Sequence, residues 1–175
     1  MPGPPSIPGN APQVMDGAFG DVSSLHNDNG TTISMEQTKY ADGRFTEYGF
    51  SLPAGAEITS IIVHYEANNN TGTAATLQLT ISEFDSGTVS DVISNTVTSE
   101  TPTSFETSFL AGNTLGPITA TLANERNFGL RIQLMTGSVR VDFDYINLEI
   151  KYTTREGMLE ITQGQVEITQ GLIVL

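Results

Sequence analysis

Residues 75–84 read ATLQLTISEF, and the alternation of apolar and polar residues in this stretch decides the fold class. Leu77, Leu79 and Ile81 share one parity, and polar residues fill the positions between them. Because successive side chains of a strand point to opposite faces, this pattern predicts a half-buried antiparallel strand. Residues 127–135 (NFGLRIQLM) repeat the alternation. We expect both segments to turn one face toward a shared core.

Turn-forming stretches such as NNNTG, DSG, AGN and MTGS separate short strand-like segments, among them AEITSIIVHYEA at residues 56–67. Gly, Asn, Asp and Ser favour turns because they accept the backbone angles that turns need. No stretch shows the three- and four-residue apolar spacing of a long amphipathic helix. The sequence therefore predicts an all-β fold, an antiparallel β-sandwich or jelly roll.

Residues 138–154 (SVRVDFDYINLEIKYTT) contain a change of phase in their apolar pattern. The apolar residues of the first parity are Val139, Val141 and Phe143, and those of the second are Ile146, Leu148, Ile150 and Tyr152. A β-bulge near Asp144 and Tyr145 would return both sets to the core face. A strand buried on both faces is the alternative.

The charge balance argues against several classes of partner. With 20 acidic and 7 basic residues, the net charge is −13, so phosphate backbones and anionic membranes should be repelled. The chain has no cysteine, which excludes disulfides and thiolate metal sites. No apolar run approaches the length of about 18 residues that a membrane-spanning helix needs.

Both ends differ in composition from the middle of the chain. We divide it into a Pro-rich extended arm (residues 1–14), a β-sandwich domain (15–154) and a C-terminal β-strand tail (155–175). The first 13 residues include five prolines, so they should run extended and not build a ladder. This segment is interpreted either as a disordered tail or as an arm that lies along a neighbouring subunit.

The tail contains a near-repeat, because EITQG at residues 160–164 recurs at 167–171. Each copy predicts a short strand, and we expect these strands to pair between subunits, in a trimer or on a neighbour's sheet edge. The alternative is a hairpin that folds back on its own domain. The predicted assembly residues are Ile7, Leu159, Ile161, Val166, Ile168, Leu172, Ile173 and Val174.

Three segments of the chain resemble a known β-sandwich module. They are YGFSLPAGAEITSIIVHYEA, LANERNFGLRIQL and VDFDYINLEIKYT, and the resemblance covers roughly residues 15–154. Modules of this type recur in bacteriophage virion proteins and related bacterial surface proteins. They include capsid decoration proteins, tail and fibre proteins, and carbohydrate-binding surface proteins. The matching motifs are core strands and turns, so the resemblance implies a fold and carries no catalytic residue.

The arm, the tail and the resemblance together favour a non-enzymatic bacteriophage structural protein. The most specific expectation is a capsid decoration or cement protein on the capsid exterior, a homotrimer that contacts the major capsid protein. One alternative is a glycan-binding, host-recognition module of a tail fibre or surface appendage. Another is a subunit of a self-polymerising extracellular filament.

Few residues suggest site chemistry. His26 and Asp28 lie in HNDNG, and Asp142 and Asp144 are two apart in a strand; these are weak candidates for Ca²⁺, and solvated charges are the simpler interpretation. His64 has no acidic partner at a local spacing, so we interpret it as structural. We expect no other cofactor.

Sugar binding lacks its strongest sequence signal, because the chain has no tryptophan. Tyr40, Phe45 and Tyr48 are the aromatic residues that could replace it as a platform for a sugar ring. Catalysis lacks a signal too, since no nucleophile elbow, phosphate-binding Gly loop or zinc spacing occurs.

Overall fold

The computed structural model describes residues 5–8, 13–16, 33–36, 41–136, 139–154, 160–162 and 165–167. These residues form thirteen strands and one short helix. The strands are β1 (Ser6–Pro8), β2 (Gln13–Asp16), β3 (Ile33–Glu36), β4 (Ala41–Thr46), β5 (Glu57–Asn69), β6 (Ala75–Glu83), β7 (Thr88–Val89), β8 (Ile93–Val97), β9 (Thr103–Leu110), β10 (Phe128–Leu134), β11 (Arg140–Thr153), β12 (Glu160–Thr162) and β13 (Gln165–Glu167), and the helix is α1 (Ala120–Ala123).

Two sheets make up the sandwich. The front sheet has the order β1-β11-β5-β9, with β3 also paired to β11. The back sheet has the order β2-β4-β10-β6-β7, with β8 also paired to β6. All described strand pairs are antiparallel. The predicted antiparallel β-sandwich is therefore confirmed.

The core lies between the inner faces of the two sheets. Leu77, Leu79 and Ile81 of β6 are fully buried, and Leu130 and Ile132 of β10 pair beside them. Their alternation with half-buried or polar neighbours is the pattern that the sequence predicted. One cluster of buried apolar side chains joins both sheets, so the hydrophobic effect holds them together.

The phase change in β11 is a β-bulge, the first of the two explanations that the sequence left open. The register of β11 on β5 shifts between Phe143 and Tyr145, so Asp144 is the extra residue. Phe143 and Ile146 consequently both face the core, although they are three residues apart. The bulge also turns Tyr145 to the outer face, beside the outward row of β11.

Gly129 explains part of the NFG motif in physical terms. A Cβ atom at this position would collide with the carbonyl oxygen of Phe45, because β4 passes very close to β10 there. The backbone of β4 is distorted just beyond this point, where Glu47 has a φ of 60° and its N–H donates to the carbonyl of Arg126. Glycine is therefore required by the close approach of two strands.

The N-terminal segment does build a ladder, contrary to the sequence prediction. Ser6–Pro8 pairs with Glu149–Lys151 at the edge of the front sheet, and Ile7 lies opposite Ile150. Proline is tolerated on an edge strand because its missing N–H can face outward. The strand β2 also begins at Gln13, inside the segment assigned to the arm, and pairs with β4.

Two short strands of the tail, β12 and β13, pair with each other. Ile161 of β12 lies opposite Val166 of β13 in a separate two-stranded sheet. Neither strand pairs with a described strand of the sandwich. β12 lies in the first copy of the repeat, whereas β13 overlaps the second copy only at Glu167, and residues 168–171 lie outside the described residues. The predicted strand character is therefore confirmed for the first copy, and pairing between subunits stays a prediction.

Candidate functional site

The outer face of the front sheet carries a polar patch that three strands assemble. The side chains that turn away from the core alternate with the core residues of each strand. Pairing places Glu106 of β9 and Asn147 of β11 on either side of His64 of β5. Tyr145 lies opposite Glu66 in the next row. The front patch consists of His64, Glu66, Glu106, Tyr145, Asn147 and Glu149.

His64 occupies the centre of the front patch, between two carboxylates. Its Nε2 atom is 3.1 Å from Oε2 of Glu149, and its Nδ1 atom is 3.9 Å from Oε2 of Glu106. The side chain of Glu106 is 63% exposed, whereas that of Glu149 is 25% exposed. The shorter distance makes Glu149 the stronger partner, and the more exposed Glu106 remains open to a ligand.

The carboxyl group of Glu149 is held in its ionised form. Partial burial raises its pKa, but hydrogen bonds from His64 and Ser6 outweigh this effect, and the charges of Lys151 and His64 add to them. The pKa of Glu149 therefore lies below the ordinary value of 4.5. An ionised carboxylate at this position accepts strong, charge-assisted hydrogen bonds.

Tyr145 and Asn147 form the second half of the front patch. The Nδ2 atom of Asn147 donates to the hydroxyl of Tyr145 over 3.0 Å, and the Oδ1 atom accepts from the backbone N–H of Leu148 over 2.8 Å. Both side chains are half-buried, so each keeps an accessible surface. These contacts fix the amide and the phenol before any ligand arrives, which lowers the entropy cost of binding.

The front patch combines an aromatic ring, hydrogen-bond donors and ionised acceptors on an open surface. Sugar hydroxyls both donate and accept, and the C–H faces of sugar rings pack on aromatic side chains. Among the described residues, no group of three or more His, Asp and Glu side chains is arranged to hold a metal ion. The geometry therefore suits reversible binding of a hydroxyl-rich ligand.

Asp142 and Asp144 are buried, so their interpretation as solvated charges is wrong. They are 5% and 4% exposed. The Oδ1 atom of Asp142 accepts from Ser34 Oγ over 2.6 Å and from Arg140 Nε over 2.7 Å, and Oδ2 accepts from Asn70. Through these hydrogen bonds, the Asp142 carboxylate on β11 holds β3 and the turn after β5 in place. Burial of an acid is tolerated where such partners compensate.

The aromatic residues considered as a sugar platform do not provide one. Phe45 and Tyr48 are 0% and 1% exposed, because both belong to the core cluster. Tyr40, His26 and Asp28 lie outside the described residues. Tyr145 is a half-buried ring of the front patch that the sequence did not single out.

The structure describes only some of the residues that were predicted to mediate assembly. Ile7, Ile161 and Val166 lie in β1, β12 and β13. Those outside the described residues are Leu159, Ile168, Leu172, Ile173 and Val174. The structure contains a single chain, so the role of these residues in assembly stays a prediction.

Sequence reasoning missed the partners of His64 because it searched for them at local spacings. Glu149 is 85 positions away along the chain, and Glu106 comes from a third strand. The available signal was parity, since each of the three residues occupies an outward position of an alternating strand. The parity of a residue in its strand predicts the face of the sheet on which its side chain lies, but it does not predict which strand lies beside it.

A small cleft lies at one end of the sandwich, between the loop at residues 52–56 and α1. Its volume is about 160 Å³, below the roughly 300–1,000 Å³ of typical ligand pockets. Asn124 closes its floor, because its side-chain amide both accepts from the N–H and donates to the carbonyl of Leu52. We interpret this cleft as a junction that anchors the loop.

No protein-family model and no curated protein matches this sequence. Solved structures do match its fold. An arabinose-bound α-L-arabinofuranosidase aligns over 82% of this chain with 12% identity and a TM-score of 0.51, and the chain spans 24% of that enzyme's length. At this identity the likeness shows the fold alone.

Two smaller structures align over most of their own length. A carbohydrate-binding module from Cellvibrio mixtus lichenase 5A, in complex with cellotriose, has 14% identity and a TM-score of 0.43 over 85% of this chain and 97% of its own. A xylan-binding domain from Paenibacillus barcinonensis has 8% identity and a TM-score of 0.41 over 85% and 96%. These neighbours are β-sandwich modules.

In the part of the chain that the structure describes, no helix has the length and apolar character needed to cross a bilayer.

Proposed function

We propose that this protein is a non-enzymatic glycan-binding module whose front patch holds a neutral, hydroxyl-rich sugar. The observation that carries the proposal is the arrangement of Tyr145, Asn147 and His64 around the ionised carboxylate of Glu149. A sugar ring would lie against Tyr145, while its hydroxyls exchange hydrogen bonds with the amide and the carboxylates.

The charge of the front patch sets the class of sugar. Glu66, Glu106 and Glu149 supply three carboxylates, and the whole chain carries a net charge of −13. Sulfated or uronate-rich polymers would be repelled there, whereas neutral sugars are not. An open face covers less of a ligand than a pocket does, so a dissociation constant on the order of 0.1–1 mM is expected.

Isothermal titration with neutral sugars tests the proposal. Cellotriose, a xylan oligosaccharide and arabinose serve as probes for the full chain. Tyr145→Ala removes the ring, and we expect it to weaken binding about tenfold or more. Thr96→Ala is the matched control, since Thr96 is exposed on the back sheet. Binding that survives Tyr145→Ala, or no binding of any neutral sugar, would contradict the proposal.

A second candidate function is a structural subunit of a bacteriophage particle. The observation that favours it is the hairpin of β12 and β13, which forms a sheet separate from the described sandwich. A hairpin with open edges can accept a strand from a neighbour. In this proposal a homotrimer decorates the capsid exterior and binds the major capsid protein.

Light scattering separates the two candidates. The structural-subunit proposal expects the full chain to be a trimer that becomes a monomer when the chain ends at Glu156, and it expects tight binding to empty capsids. If the full chain and the chain that ends at Glu156 are both monomers and do not bind capsids, the glycan-binding module is the better explanation. Spontaneous fibres would instead support an extracellular filament subunit.

A further inference from the structure

We propose that an exposed apolar surface at one edge of the sandwich binds residues 171–175 (GLIVL) of a second copy of this chain. The edge patch consists of Val89, Val92 and Leu110. It joins the edge of the back sheet to the edge of the front sheet. Its use does not depend on a sugar in the front patch.

The edge patch concentrates apolar side chains that water can reach. Val89, Val92 and Leu110 are 50%, 54% and 47% exposed. Among the residues whose exposure the structure describes, one other large apolar side chain is exposed, that of Met135 at 38%. Single exposed apolar residues are common on protein surfaces, whereas a group of them in one place marks an interaction surface.

Thr114 connects the two sides of the edge patch. Its carbonyl accepts from the N–H of Asp91 over 2.9 Å, and its hydroxyl accepts from the N–H of Leu110 over 2.9 Å. Val92 follows Asp91 between β7 and β8, which both pair with β6. Leu110 ends β9, the last strand in the order of the front sheet. Val92 and Leu110 therefore lie on either side of Thr114.

The size of the edge patch suits a short segment and not a second folded domain. Three half-exposed aliphatic side chains offer at most a few hundred Å² of apolar surface. A stable interface between two domains buries about 1,200–2,000 Å² in total. An extended segment of four residues is about 13 Å long, which is enough to contact residues on both sides of Thr114.

The tail of the chain supplies such a segment. β13 ends at Glu167, and the eight residues that follow, 168–175, include the apolar run LIVL at 172–175. Apolar side chains gain free energy when they leave water. When fully extended, eight residues reach up to about 26 Å beyond the hairpin, so the run of one copy can contact another copy.

The charge of the chain explains why a contact between copies should be apolar. Each copy carries a net charge of −13, so two copies repel each other. Neither the edge patch nor residues 168–175 contain an ionisable side chain, so this contact buries no charge. Asp91 is exposed beside Val92 and can stay in water at the rim of the contact.

The segment comes from a second copy, because one chain by itself leaves the three side chains of the edge patch half-exposed. A segment of one copy on the edge patch of the next is a heterologous contact. Such contacts close into a ring or continue as a filament. Each copy then gives one segment and receives one.

Sedimentation velocity on the full chain and on a chain that ends at Glu167 tests the proposal. The shorter chain keeps β12 and β13 and loses only residues 168–175. We expect the full chain to form an oligomer and the shorter chain to be a monomer at the same concentration. Val92→Ser combined with Leu110→Ser should weaken association of the full chain about tenfold or more, because apolar contact area is lost.

Met135→Ser is the matched control, because it removes an exposed apolar side chain at a distance from the edge patch. The N–H of Met135 donates to the carbonyl of Thr76 near the start of β6, whereas Val89 pairs with Ser82 near its end. Met135→Ser should leave the oligomer unchanged. Thermal melts show whether each variant is folded.

A mixing experiment distinguishes a contact between copies from a tail that folds onto its own domain. The chain that ends at Glu167 has the edge patch without the segment, and the doubly substituted chain has the segment without the edge patch. We expect the two to form a one-to-one complex, although each is a monomer alone.

Four outcomes would overturn the proposal. They are a monomeric full chain at every concentration, a shorter chain that assembles like the full chain, equal effects of Met135→Ser and the double substitution, and a mixture without a complex. If the oligomer survives truncation at Glu167 but not at Glu156, the hairpin carries assembly and the edge patch does not. Failure to bind any sugar would leave these results unchanged, so the two proposals are tested separately.

Discussion

The hydroxyl of Tyr48 is buried in the core and makes no hydrogen bond to any residue that the structure describes. Its ring stacks on Phe50 at a centroid distance of 5.8 Å, and burial raises its pKa well above 10.0. An unpartnered buried hydroxyl has lost its water without compensation, and this destabilises the folded state. The side chain contributes through its ring, and its polar atom opposes folding.

Tyr48→Phe should therefore stabilise the protein. Removing the hydroxyl keeps the ring contacts and relieves a penalty of about 1–3 kcal/mol, part of which should be gained in the free energy of unfolding. A thermal melt should show a midpoint raised by a few degrees. Tyr65→Phe is the control, because the Tyr65 hydroxyl accepts from Asn95 and its loss should destabilise. A lower midpoint for Tyr48→Phe would mean that the hydroxyl is satisfied in solution.

Glu149 links stability to pH. Its folded-state pKa is lowered, so its contribution is complete above the unfolded-state pKa and is lost as the pH falls through the folded-state pKa. We expect Glu149→Gln to reduce the free energy of unfolding by about 1 kcal/mol or less at pH 6, since the group is partly exposed. Urea titrations should show this difference shrinking below about pH 4. A constant difference across this range would exclude ionisation as its cause.

At the scale of elements, β11 is the strand on which both the core and the front patch depend. It pairs with β5 over most of its length and with β1 and β3 on its other edge. The extra residue Asp144 allows Phe143 and Ile146 to face the core while Tyr145 faces outward. One bulge therefore positions an aromatic ring for the site without disturbing the core.

Deleting Asp144 should be tolerated better than deleting another residue of the same strand. Without Asp144, the order Phe143, Tyr145, Ile146 alternates in, out, in, as a regular ladder requires. We expect this variant to fold with a loss of about 1–3 kcal/mol, mainly from changed twist and lost contacts of Asp144. Circular dichroism shows whether the variant folds, and urea unfolding measures the free energy of unfolding that it loses.

Deletion of Asn147 is the matched control for the bulge. It would move Leu148 and Ile150 from the core face to the outer face, because a one-residue slip inverts every later side chain. We expect that variant not to fold. Equal damage from both deletions would show that the bulge does more than absorb one residue.

For the whole molecule, the excess of acidic residues should limit stability at low ionic strength. The net charge of −13 produces repulsion throughout the chain, and the described arginine ion pairs offset only part of it. Raising NaCl from about 10 mM to about 1 M shortens the Debye length from about 30 Å to about 3 Å. We expect the melting temperature to rise by several degrees. A decrease would mean that local ion pairs dominate.

The fold was predictable where the evidence is local. The alternation of Leu77, Leu79 and Ile81 predicted β6, and the phase change around Asp144 indicated either a bulge or a strand buried on both faces, of which the structure shows the bulge. The expectation that the N-terminal segment builds no ladder was wrong, because proline content does not show whether a sheet edge can accept such a strand, as one does for Ser6–Pro8. The buried carboxylate of Asp142 was mispredicted because its donors come from distant positions.

The sequence by itself determined the strands, their inward and outward faces and the β-sandwich class, because side-chain parity is a property of the backbone of each strand. Only the tertiary structure decided which strands lie side by side. That choice places His64 between Glu106 and Glu149, and it puts Arg44 beside Phe84. Strand order depends on the packing of the whole core, so contacts between distant outward residues cannot be predicted from local pattern.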